Sequence, residues 1–200
     1  MRLLVIRHGE SEADLMDVHE GRADFELTPR GRRQAEAMAG FVKSYFHVTR
    51  LYASTLKRAA QTAACLSDAV KVPVRFDERL MEFNNGLLAG MPRDEAARKY
   101  PPVPDLPIDR AVYGQESRLD FRRRAEAVFA SIRAEDNADG DTALVTHGGM
   151  INQLYHTILK LPVAADCFFC TGDTGIHVWE IRGDSVMIVK SNLCEHTDGM

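Results

Sequence analysis

No stretch of this chain is apolar for long enough to cross a membrane as a helix, a span that takes roughly 18 residues, and the N-terminus reads as a strand instead of a signal peptide. A cytoplasmic protein without a membrane partner is expected. Cysteine is sparse as well: Cys65, Cys167, Cys170 and Cys194 are too few and too irregularly spaced for a secreted disulfide framework. Cys167-Phe168-Phe169-Cys170, with Cys194 and His196, has the residue types of a metal site, but free cysteine is among the most buried residue types. Reduced thiols beside core phenylalanines, with no metal, are the reading adopted. Charge of neither sign dominates. A net charge of −4 without a basic tail or stripe argues against nucleic acid as a partner, so any anion site has to be a local cluster of arginine. Repeats, low-complexity segments and linkers are lacking too, and 200 residues suit a single compact domain over 1–200.

What is present begins with Leu3-Leu4-Val5-Ile6, an apolar run that reads as a strand buried on both faces and leads directly into Arg7-His8-Gly9. Thr28-Pro29 is an N-cap with proline at the first helical position. The helix it opens, about 29–46, shows Met38, Phe41, Val42 and Tyr45 at sheet-facing spacing. Val48 to Ala53 and Val72 to Phe76 are strands. Between them Ser54-Thr55 caps a helix of about 55–69 with Leu56, Ala59, Ala60, Ala63 and Leu66 inward.

Over 84–115 periodicity fails apart from a short polar helix near 93–99, and Pro101, Pro102, Pro104 and Pro107 interrupt the rest of the segment. An irregular segment of this length inside a domain reads as an inserted lid. Ser117 with Asp120 starts another helix, with Ala125, Val128, Phe129 and Ile132 as its stripe. A turn over 137–141 precedes the strand Thr142 to Thr146, which also runs into a His-Gly turn, His147-Gly148-Gly149. An amphipathic helix with Ile151, Leu154, Tyr155, Ile158 and Leu159 comes next, and Gly183-Asp184 joins a late hairpin of 176–181 and 186–189. Alternating strands and helices predict an α/β protein: a three-layer α/β/α sandwich with a mostly parallel central sheet, a late antiparallel hairpin and the inserted lid-like segment.

Two buried strands that both end in histidine bring His8 and His147 together if they are neighbours, at the sheet edge where open α/β sheets place ligands. Glycine after each lets backbone approach a ligand, and the second histidine heads a helix whose free N–H groups favour an anion. Arg7 and Arg58 add fixed positive charge. Phosphoryl transfer asks for this equipment. A neutral imidazole attacks phosphorus only if its other nitrogen donates to something fixed, such as a backbone carbonyl, and Glu82 is the candidate donor of a proton to the leaving alkoxide.

The pattern Arg7-His8-Gly9-Glu10-Ser11 resembles the Arg-His-Gly-Glu/Gln-Ser/Thr signature of the histidine phosphatase superfamily, the phosphoglycerate mutase-like family. Further matches lie in register: Leu27-Thr28-Pro29-Arg30-Gly31 with Gln34-Ala35, and Ser54-Thr55-Leu56-Lys57-Arg58-Ala59 with Gln61-Thr62-Ala63. Leu80-Met81-Glu82 with Gly86 and Gly90, Gly114-Gln115-Glu116-Ser117, and Val145-Thr146-His147-Gly148-Gly149 complete the set. The resemblance implies an α/β/α sandwich, a metal-independent and cofactor-free reaction on a small phosphorylated substrate, His8 as the residue that becomes phosphohistidine, and Glu82 as acid and later base. It also implies a phosphate pocket of Arg7, Arg58 and His147. Ser11, from the signature, and Arg22, at the mouth with His19, are added to that expected set.

Several positions depart from the pattern. Asp14 replaces the usual Asn, a carboxylate that either points away from phosphate or is matched by a cation on the substrate; Thr55 replaces proline, and Ala89 replaces Glu or Gln. Phe83 and Asn85 stand where cofactor-dependent mutases carry Arg and Tyr, although Arg93 takes the place of their lysine. A mutase must hold a second acidic group of its substrate. The expectation is therefore a phosphomonoesterase, with a phosphoglycerate mutase as the alternative and a non-catalytic phosphate-binding module as the second.

Overall fold

The computed structural model describes residues 1–135 and 139–199, and its centre is a six-stranded sheet. The strands are β1 (Arg2–Arg7), β2 (Val48–Ala53), β3 (Val74–Phe76), β4 (Asp141–Thr146), β5 (Ile176–Arg182) and β6 (Ser185–Leu193), in the order β3-β2-β4-β1-β5-β6. β1 to β4 pair in parallel, whereas β5 runs antiparallel to both β1 and β6. The expected hairpin is present and adds to the edge beyond β1.

β1 and β4 are neighbours in full register, with Arg7 opposite Thr146. Their apolar runs read as doubly buried because both faces are covered. Leu4, Ile6, Ala143 and Val145 point to one side, and Leu3, Val5 and Leu144 to the other. The first side packs on α2 (Pro29–Tyr45) and α3 (Lys57–Val70) through Met38, Val42, Ala59, Ala63 and Leu66. The second packs on α5 (Arg118–Ala134) and α6 (Gly148–Ile158) through Phe121, Val128, Phe129, Ile151 and Leu154. These are the three layers expected.

Two stripes differ from expectation. In α2 the buried seam is Ala35, Met38, Ala39 and Val42, while Tyr45 is 69% exposed and lies against Phe41. Alanines carry half of that contact, and a search for large apolar residues passes over them. In α3 the helix begins at Lys57 and Ala60 is only half-buried. The Cys-Phe-Phe-Cys stretch is less buried than expected: Cys170 and Phe168 are exposed, and Phe169 stacks on Tyr155 with ring centroids 4.2 Å apart. Of the turn expected over 137–141, residues 137 and 138 lie outside the described residues.

The short helix α1 (Glu12–Met16) went unread in the sequence, whereas α4 (Arg93–Lys99) matches its expected span. Residues 84–115 leave and rejoin the core at one neck, where Asn84 N–H and O bond Glu116 Oε1 and N–H. Gly86 sits at φ 53°, and a side chain there would strike the Tyr113 carbonyl. The segment also contacts the loop after α1 through His19 N–H to Met91 O and Gly90 N–H to His19 O.

Candidate active site

The site forms where the carboxyl ends of β1 and β4 meet. A side chain on Gly9 would come within 2.5 Å of the Gly31 carbonyl oxygen, so glycine allows the turn after β1 to cross the head of α2. Glu10 fixes that crossing by accepting from the Thr28 hydroxyl and from Arg30. The turn is thereby held rigid, and His8 with it.

His8 Nδ1 lies 2.8 Å from its neighbour Gly9's carbonyl oxygen, which accepts only from a protonated nitrogen. Nε2 is therefore the unprotonated nitrogen, and Arg58 Nε donates to it at 3.2 Å. Burial, then the charges of Arg58 and Arg7, hold the His8 imidazole well below the usual histidine range. His147, whose ring centroid is 5.0 Å from that of His8, is held low by burial and by Arg58 as well. Its Nε2 meets Ser54 Oγ at 2.8 Å, so the serine expected as a helix cap instead orients the second histidine.

Arg58 is fully buried and locked by Ala23 O and Gly21 O, each accepting from one terminal nitrogen. Arg7 donates to Thr171 O and faces Asp173 at 3.5 Å and Asp14 at 3.8 Å. Arg7 Nε and His147 Nδ1 are buried polar atoms that find no hydrogen-bond partner among the described residues, the kind of capacity an anion's oxygens can meet. Asp14 is turned onto the start of α1, where Oδ2 accepts from Ser11 N–H and lies 3.1 Å from Ser11 Oγ.

Glu82 follows a one-turn helix, Glu78–Leu80, that Thr146 anchors by donating to Leu80 O. Its Oε1 accepts from Phe83 N–H at 2.7 Å and its Oε2 from Gly149 N–H at 2.8 Å. Gly149 leaves the room that the carboxylate fills. Arg22 lies at the mouth, its Nε 3.3 Å from Glu82 O and its terminal nitrogen 3.7 Å from Glu116. It reaches the neck of the insertion more than the pair of histidines. Arg93 is further out and pairs with Asp17, and Phe83 packs on Phe121.

Two residues escaped the sequence reading. Arg124 of α5 donates to Arg79 O, Met81 O and Glu82 O and pairs with Glu116 at 2.6 Å, so it holds the turn that carries Glu82. The Glu116 in the Gly-Gln-Glu-Ser motif was the available signal. Glu20 brings a carboxylate to Arg58, Ser11 and His8. Its sequence neighbours carry no pattern that would have pointed to it. Among the described residues no group of three or more His, Cys, Asp or Glu could hold a metal ion, and no helix is long and apolar enough to cross a membrane.

Residues 3–193 match the family described as histidine phosphatase superfamily (branch 1). The chain is 32% identical over 173 residues, 82% of this chain and 77% of the relative, to a glucosyl-3-phosphoglycerate phosphatase of Mycobacterium tuberculosis. A solved structure of a mycobacterial glucosyl-3-phosphoglycerate phosphatase with VO3 superposes with a TM-score of 0.82 at 28% identity, covering 96% of this chain and 98% of the other. Phosphoserine phosphatase 1 of Hydrogenobacter thermophilus is 25% identical over 98% of this chain and 94% of its own. A probable phosphoglycerate mutase of Proteus mirabilis is 32% identical over 83% of this chain and 78% of its own.

Proposed function

The chain belongs to the histidine phosphatase superfamily, and from that premise we propose that it is a phosphatase that hydrolyses small phosphomonoesters through a phosphohistidine on His8. The observation that carries this reading is the bond from His8 Nδ1–H to the Gly9 carbonyl, which leaves the Nε2 lone pair facing Arg58. In the first step Nε2 attacks phosphorus in line with the ester oxygen. Arg58, Arg7 and His147 take up the charge on the equatorial oxygens. The N–P bond forms as the P–O bond breaks, and Glu82 gives a proton to the departing alkoxide. In the second step Glu82 takes a proton from water, which attacks phosphorus and returns the electron pair to Nε2.

The names of the phosphatase relatives support small phosphorylated metabolites as the substrate class. Against the mutase alternative stands Phe83, packed on Phe121 beside Glu82 where a cation for a second acidic group would be needed. The 84–115 segment is tied to the loop after α1 through the His19 backbone bonds and is the proposed place for substrate choice. A panel of phosphorylated sugars, glycerates and amino acids, assayed in chelator, tests the reading. Wild type releases free phosphate, and His8→Ala loses at least about a thousandfold in kcat. Activity surviving in His8→Ala removes the mechanism, and conversion of 3-phosphoglycerate to 2-phosphoglycerate without free phosphate makes the protein a mutase.

A further inference from the structure

The carboxylate of Glu20 lies in the space a phosphoryl group has to use. Oε1 is 2.9 Å from Arg58 Nε and accepts from Ser11 Oγ at 2.6 Å, and Oε2 is 3.9 Å from His8 Nε2. In-line attack brings phosphorus to about 3–3.5 Å from the nucleophilic nitrogen. A phosphoryl group at that distance, with an oxygen on Arg58, overlaps the Glu20 oxygens, and two anions repel each other there. We infer that Glu20 is an internal competitor for the phosphoryl seat, an anion of the chain's own that substrate displaces on entry and that returns to expel product phosphate. The inference rests on the reading of this pocket as the phosphate site.

The groups that face Glu20 fit such an exchange. Arg58 from α3 and Arg7 from the end of β1 attract it, Asp14 from α1 repels it, and Ser11 donates to it; His8 and, behind it, His147 are neutral imidazoles. Glu20 occupies Arg58, and Arg7 has Asp14 and Asp173 beside it as well. Phosphate therefore gains less from them than from an unoccupied pair. The 20% exposure of the Glu20 side chain leaves it an opening toward solvent. Burial raises the proton affinity of Glu20 above that of an ordinary glutamate, so on acidification it loses its charge, and its hold on Arg58, sooner than an ordinary glutamate would.

Calorimetric titration of the full chain with inorganic phosphate tests this in wild type, Glu20→Gln and Glu20→Ser, at pH 7.5 and pH 5.5. Gln keeps the size and the Ser11 contact without the charge, and Ser leaves the seat open, so two routes to the same answer remain if one variant unfolds. Both variants are expected to bind phosphate about tenfold more tightly than wild type at the higher pH. The gap should narrow at the lower pH as wild-type Glu20 takes up a proton. A merely structural Glu20 gives no pH-dependent gap. Equal or weaker binding by the variants overturns the inference and leaves the phosphatase reading standing; no phosphate binding by any of the three proteins overturns both.

Discussion

His8 is kept unprotonated by burial first and by Arg58 and Arg7 second, which leaves a ring nitrogen free at neutral pH, as the proposed attack on phosphorus requires. The sign is definite, since a lowered histidine stays neutral on both sides of its ordinary midpoint of about 6.5. NMR titration of the imidazole nitrogens is expected to show His8 neutral from about pH 8 down to about pH 6. A midpoint near 6.5 would remove the argument. Asp14, expected either to point away from phosphate or to be matched by a cation on the substrate, has Oδ2 turned onto Ser11 N–H while Oδ1 stays 3.8 Å from Arg7. The more consequential carboxylate is Glu20.

At the scale of elements, the site is a meeting of three turns. β1 delivers His8, β4 delivers His147, and the one-turn helix after β3 delivers Glu82 to the head of α6. The second glycine of α6 is there because a side chain on it would press into Glu82 Oε1. Gly149→Ala is accordingly expected to fold, with its strand core untouched, and to displace Glu82. Its kcat should fall by about a hundredfold, the contribution of a lost general acid, while affinity for phosphate changes little. Steady-state kinetics beside phosphate titration checks this, and an unchanged kcat would show that Glu82 does not move the proton. Arg124 works on the same turn from the opposite side, since its three carbonyl contacts fix the backbone on which Glu82 stands.

Across the whole molecule, buried His8, His147 and His177, each held below the ordinary histidine range, couple stability to pH. His177 on β5 is lowered to about 4 by burial; Nδ1 accepts from Asn192 N–H, and Nε2 meets Thr171 Oγ1 at 2.9 Å. In the unfolded chain such histidines titrate near 6.5, so as pH falls below that value the unfolded state takes up protons that the native state refuses. The stability these groups carry is present above about pH 6.5 and is lost as pH falls toward their native values. His177 alone accounts for about 3 kcal/mol of that loss by pH 4. Denaturant unfolding at about pH 7 and about pH 5 is expected to show a steep loss in wild type and a shallower one in His177→Gln. Equal slopes would remove His177 from the account.

The sequence by itself determined the layers, the strands and the identity of the histidine pair. Local pattern dictates these: doubly buried strands are continuously apolar, packed helices repeat at 3.6 residues, and glycine marks where backbones cross. It placed α2 and its Met38 and Val42 correctly but put Tyr45 in the stripe and passed over Ala35 and Ala39, because alanine makes contacts that a search for large residues overlooks. Only the tertiary structure decided which side chains share the candidate site. Glu20 sits in a loop without periodicity, Arg124 on a helix face among other arginines, and Ser54 at what reads as a cap. Their roles depend on distances between segments remote in sequence, which no local pattern encodes. The signature around His8 points to phosphate, but the carboxylate that contests the same place becomes visible only when the loop after α1 folds back onto Arg58.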